Sequence, residues 1–158
     1  MSPADLRSRL EALLPGLEFL EASDRLCLTL PAERLLDVAA LLRRTPELAF
    51  DLLSDHCAVD RPAEQQIELL WQLDSTSHNH CLALSVTLPR ENPVCPSLHT
   101  IWTNALWQER EVYDLFGVLY DNHPDLRRLF LEDDWKGWPL RKDYEDDFMI
   151  TEPGGGRR

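Results

Sequence analysis

The sequence predicts an α+β fold with two layers: a mixed, largely antiparallel sheet covered by helices, followed by an irregular aromatic C-terminal segment. Two runs predict the sheet, because apolar and polar residues alternate over residues 66–73 and again over 82–88. A third run predicts a covering helix, because apolar residues recur at helical spacing over residues 35–42. A sheet with one apolar face needs such a layer to bury it.

The N-terminal elements are predicted to be short. Residues 4–14 form an amphipathic helix that Pro15 and Gly16 stop. Two β-prone runs follow at residues 17–20 and 25–30, on either side of a turn at Ser23-Asp24. The chain should therefore open with a helix and a small strand pair.

A longer helix is predicted to start at Pro31. Proline suits the first helical position, because an N–H there would have no partner within the helix. Glu33 favours the positive N-terminal end of the helix dipole, and Arg43 and Arg44 favour the negative C-terminal end. Pro46 prevents the helix from continuing. This helix is expected to cover the sheet.

The centre of the sheet is predicted to be a hairpin. Residues 49–59 are expected to form the strand before it. One face of the first alternating run carries Ile67, Leu69, Trp71 and Leu73. The polar stretch at residues 74–80 joins this run to the second one, which predicts antiparallel pairing.

The chain changes character after Pro89. Ser97 is predicted to cap a helix from about residue 98 to 116, and residues 118–144 are charged, aromatic and irregular. We therefore expect three parts: an α+β domain at residues 1–120, an extended docking segment at 121–150 and a flexible tail at 151–158. The large aromatics of the second part need either this domain or a partner to bury them.

Charge and composition exclude several functions. The formal net charge of −12 would repel nucleic acid and anionic lipid headgroups, whereas it suits a basic protein surface. No apolar run approaches the roughly 20 residues of a membrane helix, and no signal-peptide core is visible. Cys27, Cys57, Cys81 and Cys95 form no close pair, so we expect reduced, mostly buried thiols and no metal.

Four stretches carry a family resemblance: residues 107–117 (WQEREVYDLFG), 123–129 (HPDLRRL), 132–135 (EDDW) and 137–144 (GWPLRKDY). We call the four stretches from residue 107 to residue 144 the signature. Together they resemble the C-type, or 30 kDa, subunit family of respiratory NADH–quinone oxidoreductase, complex I. Upstream, residues 58–60 (AVD) and 96–98 (PSL) lie where the same family has similar short motifs. Two places depart from the family pattern. Residues 55–57 (Asp-His-Cys) replace a smaller stretch, and Glu145 stands where proline is common.

The resemblance implies a peripheral-arm subunit without catalytic residues, packed against the large, D-type subunit of the quinone site. It implies no cofactor in this chain, with FMN and iron–sulfur clusters in partner subunits that carry electrons from NADH to quinone, coupled to proton translocation. It places the chain on the cytoplasmic face of the bacterial inner membrane, in contact with the membrane only through the complex. The chain ends soon after Tyr144, so we expect a separate subunit.

Two other functions remain open. The chain could be the equivalent subunit of a membrane-bound [NiFe] hydrogenase or formate hydrogenlyase, which nickel-binding cysteines in its neighbour would indicate. It could also be a free-standing enzyme, which would need a deep pocket with converging polar groups of shifted pKa.

Glu109 is the most unusual residue of the signature. On a helix it falls inside an apolar stripe, where a carboxylate is unfavourable unless it is paired. Arg127, Arg128 and Arg141 are the expected partners, because guanidinium binds carboxylate in bidentate fashion. We expect Glu109→Ala to leave an arginine unpaired and to destabilise the fold by about 3 kcal/mol.

The other charged residues of the helix predicted over residues 98–116 allow two interpretations. Arg110 and Asp114 are four residues apart and can pair on another face. Glu111 points about 200° away from Glu109, so the two cannot easily act as an acid–base pair. In the first interpretation, these acidic and basic side chains form a solvated helix face with one internal ion pair. In the second, they hold the C-terminal loops in place and dock a partner. The predicted interface residues are Glu109, Arg110, Glu111, Asp114, His123, Arg127, Arg128, Trp135, Trp138, Arg141, Lys142, Asp143 and Tyr144. Among them, His123 is expected to fix a loop by hydrogen bonds.

Overall fold

The protein's structure is a computed structural model that describes residues 2–22 and 25–146. Three α-helices and seven strands make up the described part of the fold. In chain order they are α1 (Pro3–Leu13), β1 (Glu18–Ala22), β2 (Arg25–Thr29), a short 3₁₀ helix (Ala32–Arg34), α2 (Leu35–Arg44), β3 (Leu52–Arg61), β4 (Gln66–Ser75), β5 (His80–Pro89), β6 (Val94–Pro96), α3 (Ala105–Phe116) and β7 (Leu119–Asp121).

The main sheet has five strands in the order β1-β2-β5-β4-β3. Each neighbouring pair is antiparallel except β2 and β5, which run parallel. Strands β6 and β7 form a separate parallel pair. The predicted α+β class with a mixed, largely antiparallel sheet is therefore confirmed.

The predicted hairpin is the centre of this sheet. β4 and β5 pair in register from Gln66 opposite Pro89 to Ser75 opposite His80. The inward face of β4 is fully buried, and the four leucine and valine residues of the alternating β5 run are buried as well. Trp71 lies opposite Leu84 near the middle of this core. Alternation predicted the buried face, and the short polar stretch between the two runs predicted the antiparallel pairing.

The helices differ from the predictions at their starts. Pro31 has extended backbone and precedes the 3₁₀ helix, so α2 begins only at Leu35. The predicted position of Pro31 inside the helix is wrong, since one 3₁₀ turn takes the place of the first α-helical turn. In α1, the Ser2 hydroxyl accepts the Asp5 N–H at 3.2 Å and caps the helix.

Two predicted boundaries around the signature and β3 are also wrong. α3 begins at Ala105 with Asn104 at its N-cap, and residues 98–104 form turns instead of helix. Ser97 does not cap a helix, because its hydroxyl is bonded to Glu109. β3 begins at Leu52 rather than at Ala49, whose positive φ of 41° breaks an extended strand.

The C-terminal segment, residues 122–146, contains no helix or strand and lies against α3 and β3. This agrees with the predicted irregular aromatic segment. The predicted turn at Ser23-Asp24 and the predicted tail at 151–158 lie outside the described residues. Of the helices that the structure describes, none is long and apolar enough to cross a membrane.

Candidate partner-docking site

Asp114 holds the C-terminal segment to α3. Its carboxylate is fully buried and accepts the N–H groups of Leu129, Phe130 and Leu131 at 2.7–3.0 Å. The Arg128 guanidinium donates to the same carboxylate at 2.9 Å. Burial pushes the pKa of Asp114 up, but these hydrogen bonds outweigh it and hold the pKa below its ordinary value. The carboxylate therefore stays charged inside the chain.

Arg128 connects Asp114 to the end of the segment. Besides the carboxylate, it donates to the backbone carbonyls of Asp114, Trp135 and Gly137 at 2.9–3.1 Å. Its guanidinium carbon lies 4.7 Å from the centre of the Trp138 ring, a cation–π contact. One side chain thus joins α3 to two positions of an otherwise irregular segment.

Arg110 binds the same segment through its backbone. Its guanidinium donates to the carbonyls of Arg127 and Arg128 at 3.1 and 2.9 Å and stacks on Trp107 at 5.1 Å. Among the residues that the structure describes, its nearest carboxylate is Asp125, at 4.0 Å. The predicted pair of Arg110 with Asp114 is wrong, because each side chain is engaged by the C-terminal segment. Of the four acidic and basic residues expected to hold the C-terminal loops, Arg110 and Asp114 bind the segment, whereas Glu109 and Glu111 make no hydrogen bond to its described residues.

Glu109 is buried but has no arginine partner among the described residues. Its carboxylate accepts the Leu98 N–H at 2.7 Å and the Ser97 hydroxyl, and it lies 4.0 Å from His123 Nε2. Burial raises the pKa of Glu109 to about 7, although the bonds from Ser97 and Leu98 act in the opposite direction. The predicted arginine pairing is wrong. An alanine here would leave the Leu98 N–H unpaired instead.

The three arginines expected at Glu109 lie elsewhere. Arg128 donates to the Asp114 carboxylate. Arg127 pairs with Asp125 on the surface at 3.0 Å, and Arg141 donates to the Phe116 carbonyl at 2.7 Å. Helix spacing indicated that Glu109 faces inward, but it could not indicate which distant group would meet it.

His123 fixes the start of the C-terminal segment, as predicted. Its Nε2 lies 3.1 Å from the Leu106 carbonyl, and its Nδ1 accepts the Asp125 N–H at 3.1 Å. The first bond therefore requires the proton on Nε2. Burial lowers the pKa of His123, so the neutral ring is favoured.

A second anchor, which the sequence analysis missed, joins the segment to β3. Asp60 has a fully buried side chain and receives two hydrogen bonds from Arg90, at 2.6 and 2.9 Å. Arg90 also binds Asp143, and the Lys142 N–H donates to Asp60 at 2.7 Å. The bonds from Arg90 hold the pKa of Asp60 below its ordinary value. Strand alternation places Asp60 on the inward face with His56, and that was the available signal.

Aromatic rings complete the attachment at the end of α3. Gly117 ends the helix with a left-handed backbone, φ 75°, and the Trp138 ring covers the place where a side chain would start. Trp138 also packs edge-on against Tyr113, with ring centres 5.5 Å apart. The Tyr144 ring lies in the same way over Gly137. Small residues at these positions let the segment approach closely.

The family model described as "Respiratory-chain NADH dehydrogenase, 30 Kd subunit" matches residues 28–147, which include every anchor described above. The chain belongs to this family. A relative from Moorella thermoacetica, named as the C-type subunit of NADH-quinone oxidoreductase, is 40% identical over 145 residues, which cover 92% of this chain and 95% of the relative.

Other members of the 30 kDa subunit family are longer than this chain. Relatives of the same name from Chlorobium phaeobacteroides and Mycobacterium marinum are both 40% identical, over 69% and 82% of the chain. The chain spans 66% and 58% of their respective lengths.

Solved structures share the family fold. A trypsin-resistant fragment of Nqo5 superposes with a TM-score of 0.65 at 28% identity, covering 77% of this chain and 98% of the fragment. A chain of an archaeal respiratory complex, the membrane-bound sulfane sulfur reductase, superposes with a TM-score of 0.78 at 24% identity. The match covers 90% of this chain and 85% of the archaeal chain. At this identity it is evidence for a shared fold and for nothing further.

In this family member the predicted interface residues fall into three groups. Glu109, Arg110 and Asp114 are buried inside the chain. His123, Arg128, Trp135, Trp138, Arg141 and Tyr144 are half-buried between the segment and the domain. The exposed ones are Glu111, Arg127, Lys142 and Asp143. Contact of all thirteen with a partner stays a prediction, and the exposed group is the part that a partner can reach directly.

The cysteines and a cavity on the sheet lie away from these anchors. Cys27 and Cys95 are buried, whereas Cys81 is half-buried and Cys57 exposed, and all four are free thiols. Burial raises the pKa of Cys27 and of Cys57, which disfavours reactive thiolates. A cavity of about 530 Å³ opens on the outer sheet face beside Cys27 and Cys57 and contains no signature residue. Within the described ranges, no cluster of three or more His, Cys, Asp or Glu could hold a metal.

Proposed function

We propose that this chain is a non-catalytic peripheral-arm subunit of NADH–quinone oxidoreductase, complex I. In this role it supports electron transfer from NADH, through FMN and iron–sulfur centres of other subunits, to quinone, coupled to proton translocation. The family match and the relatives that bear the name of this C-type subunit support the assignment. The chain itself binds no cofactor in this proposal, and its contribution is mechanical.

The observation that carries the proposal is how the signature charges are used. Asp114, Arg110 and Arg128 bind the backbone of the C-terminal segment, and Asp60 binds it through Arg90 and Lys142. Charged groups that hold a loop in one conformation are suited to a preformed docking surface, because little conformational entropy is then lost on binding. Electron transfer between cofactors in other subunits needs fixed distances, which such a rigid part helps to maintain.

The proposed partners are the large, D-type subunit of the quinone site and other subunits of the peripheral arm. The proposed location is the cytoplasmic face of the bacterial inner membrane, reached through the complex rather than through lipid. The net charge of −12 supports this, since an acidic surface favours a basic protein over anionic headgroups.

Deletion and re-expression of the chain in its own cell tests the proposal. Membranes without the chain should lose NADH–quinone reductase activity, and the wild-type chain should restore it. A tagged chain should co-purify with the flavin-, iron–sulfur- and quinone-site subunits, identified by mass spectrometry. Fully active membranes without the chain would refute the role. Co-purification with a large subunit that carries nickel-binding cysteines would instead indicate the hydrogenase-type complex.

A further inference from the structure

The outer side of α3 carries a row of side chains that the C-terminal segment leaves accessible. Trp107, Glu111 and Leu115 follow at four-residue spacing and therefore lie on one face of the helix. Trp107 is 61% exposed, Glu111 is exposed and Leu115 is half-buried. The opposite face of the helix, with Ala105 and Val112, is buried in the domain.

Two exposed apolar residues of the C-terminal segment have backbones that are bonded to the second half of the same helix. The Phe130 N–H donates to the Asp114 carboxylate, and the Leu140 N–H donates to the Leu115 carbonyl at 3.1 Å, so both backbones lie against α3. Their side chains are 66% and 49% exposed. We call Trp107, Glu111, Leu115, Phe130 and Leu140 together the α3 surface. Aromatic residues exposed in such a group are typical of protein interfaces.

The α3 surface is rigid because buried charges lie beneath it. Arg110 supports the Trp107 ring from one side, at 5.1 Å, and is itself bonded to two carbonyls of the segment. Asp114 fixes the backbone on both sides of Phe130. A partner would therefore meet a prearranged apolar surface, which favours tight association.

Glu111 determines what kind of partner fits. Within residues 2–22 and 25–146, its carboxylate makes no hydrogen bond or ion pair, although it lies between Trp107 and Leu115 on the helix. A partner that covered these apolar neighbours would also take the carboxylate out of water. That is unfavourable unless the partner supplies a cation. The occupant must therefore present a basic side chain at this position.

We propose that the α3 surface is the docking site for another subunit, through a segment that places an arginine or lysine on Glu111 between apolar side chains. This inference rests on the proposed function and names the surface that carries it. A second copy of this chain would bring a net charge of −12 and its own Glu111 to the contact. The exposed Glu132, Asp133 and Asp134 close to Phe130 add to the repulsion of another acidic partner.

Cross-linking within the assembled complex identifies the occupant. A photoreactive benzoylphenylalanine replaces Phe130 in the full chain expressed in its own cell, and the cross-linked peptide is identified by mass spectrometry. The expected product joins residue 130 to a segment of another subunit with an arginine or lysine among apolar residues. The same replacement at Leu20, which is 56% exposed on β1, is the matched control and should not give this product.

A charge exchange then tests the role of Glu111. Glu111→Arg should weaken retention of the chain in the purified complex by roughly tenfold or more, as expected for a charge at an interface centre. Changing the cross-linked basic residue of the other subunit to glutamate should restore retention. Glu91→Arg, at an exposed position outside the α3 surface, should leave retention unchanged. Glu111→Gln, which keeps the side-chain shape, should show a smaller loss, and circular dichroism of both variants shows whether they fold.

Three outcomes would overturn the inference. They are a cross-link from residue 130 to a second copy of this chain or to lipid, unchanged retention of Glu111→Arg, and a loss that the exchanged charge does not restore. In each of them a wild-type chain that still co-purifies with complex I subunits leaves the proposed function intact. A wild-type chain that co-purifies with none of them refutes the proposed function instead.

Discussion

At the scale of single residues, Asp114 decides whether the C-terminal segment stays in place. Asp114→Asn removes the charge that Arg128 and three N–H groups share, and it leaves Arg128 without its counterion. We expect a loss of about 3 kcal/mol in the free energy of unfolding, the magnitude for breaking a buried charge pair. Urea denaturation followed by tryptophan fluorescence measures it.

Glu11→Gln is the control for that substitution. Glu11 pairs with Arg7 on the surface of α1, with side chains 49% and 40% exposed, and such pairs contribute little to stability. Its unfolding curve should coincide with that of the wild type. Equal curves for both variants would show that Asp114 has no special role.

Glu109 makes stability depend on pH. Burial raises its pKa to about 7 in the folded chain, above roughly 4.3 for a free glutamate, so between these values the folded chain binds a proton that the unfolded chain has released. The bound proton therefore adds to the free energy of unfolding. This stabilisation is fully present below about pH 4 and is lost as the pH rises through 7. This stabilisation amounts to about 4 kcal/mol.

Glu109→Gln isolates the effect, because an amide keeps the shape and cannot titrate. The difference in unfolding free energy between wild type and variant, measured in urea from pH 5 to pH 8, should shift against the wild type as the pH rises. Buried His56, whose pKa burial lowers to about 4, stabilises in the opposite direction but is common to both chains. A difference that does not change with pH would mean that Glu109 keeps an ordinary pKa.

At the scale of elements, the end of α3 depends on one glycine. Gly117→Ala has to adopt φ 75° and meets the Trp138 ring, so we expect α3 to lose its C-cap and Trp138 to shift. The melting temperature should fall and tryptophan fluorescence should change. Gly16→Ala is the matched control: φ is 81° there but nothing lies within 4 Å, so only the backbone strain of about 1 kcal/mol applies. Equal shifts in both variants would contradict the close packing of Trp138.

The anchor between β3 and the segment makes a separate prediction. Asp60→Asn weakens the acceptor of the Lys142 N–H and the counterion of Arg90. Hydrogen exchange at the Lys142 amide should become at least about tenfold faster, since a loss of 1.4 kcal/mol in local stability has that effect. Arg61→Ala removes an exposed pair with Glu68 on the neighbouring strands and should leave this amide unchanged. Unchanged exchange in Asp60→Asn would show that the segment is held without Asp60.

The elements that the sequence predicted well are those formed by neighbouring residues. The β4–β5 hairpin follows from local sequence, because a period of two gives the buried face and the short polar stretch at residues 74–80 gives the pairing. The start of α3 was wrong because the predicted cap, Ser97, is bonded to the distant Glu109 instead, and the Leu98 N–H is bonded to the same carboxylate, so residues 98–104 form turns. A bond between groups that far apart is not visible in a local pattern.

At the scale of the whole molecule, the same distinction applies to the candidate site. The family signature identified the residues, and inward-facing charges at Glu109 and Asp60 could be inferred from helix and strand periods. Their partners could not be inferred, because Asp60 meets Lys142 from 82 residues away along the chain. Electrostatic pairing depends on the completed fold, in which several arginines compete for several carboxylates.

The C-terminal segment should behave as a part of the fold rather than as a separate extension. A chain that ends at Asp121 loses every acceptor and donor that Asp114 and Arg110 use in the segment, and it leaves Asp60 without the Lys142 N–H. We expect its melting temperature to fall well below that of a chain ending at Asp146, measured by circular dichroism. Equal melting temperatures would show that residues 1–121 are stable alone, and the segment would then be an addition to a complete domain.

The parallel pairing of β2 with β5 has a consequence for how the molecule opens. The pairing of β2 with β5 spans only Cys27 to Thr29, whereas β4 and β5 pair over ten residues, from Gln66 to Ser75. It is also the place where a hairpin from the start of the chain joins strands from much later in the sequence. The β1–β2 hairpin should therefore detach first under mild denaturant, exposing Leu28 and Leu84 while the three-stranded remainder and its attached surface persist.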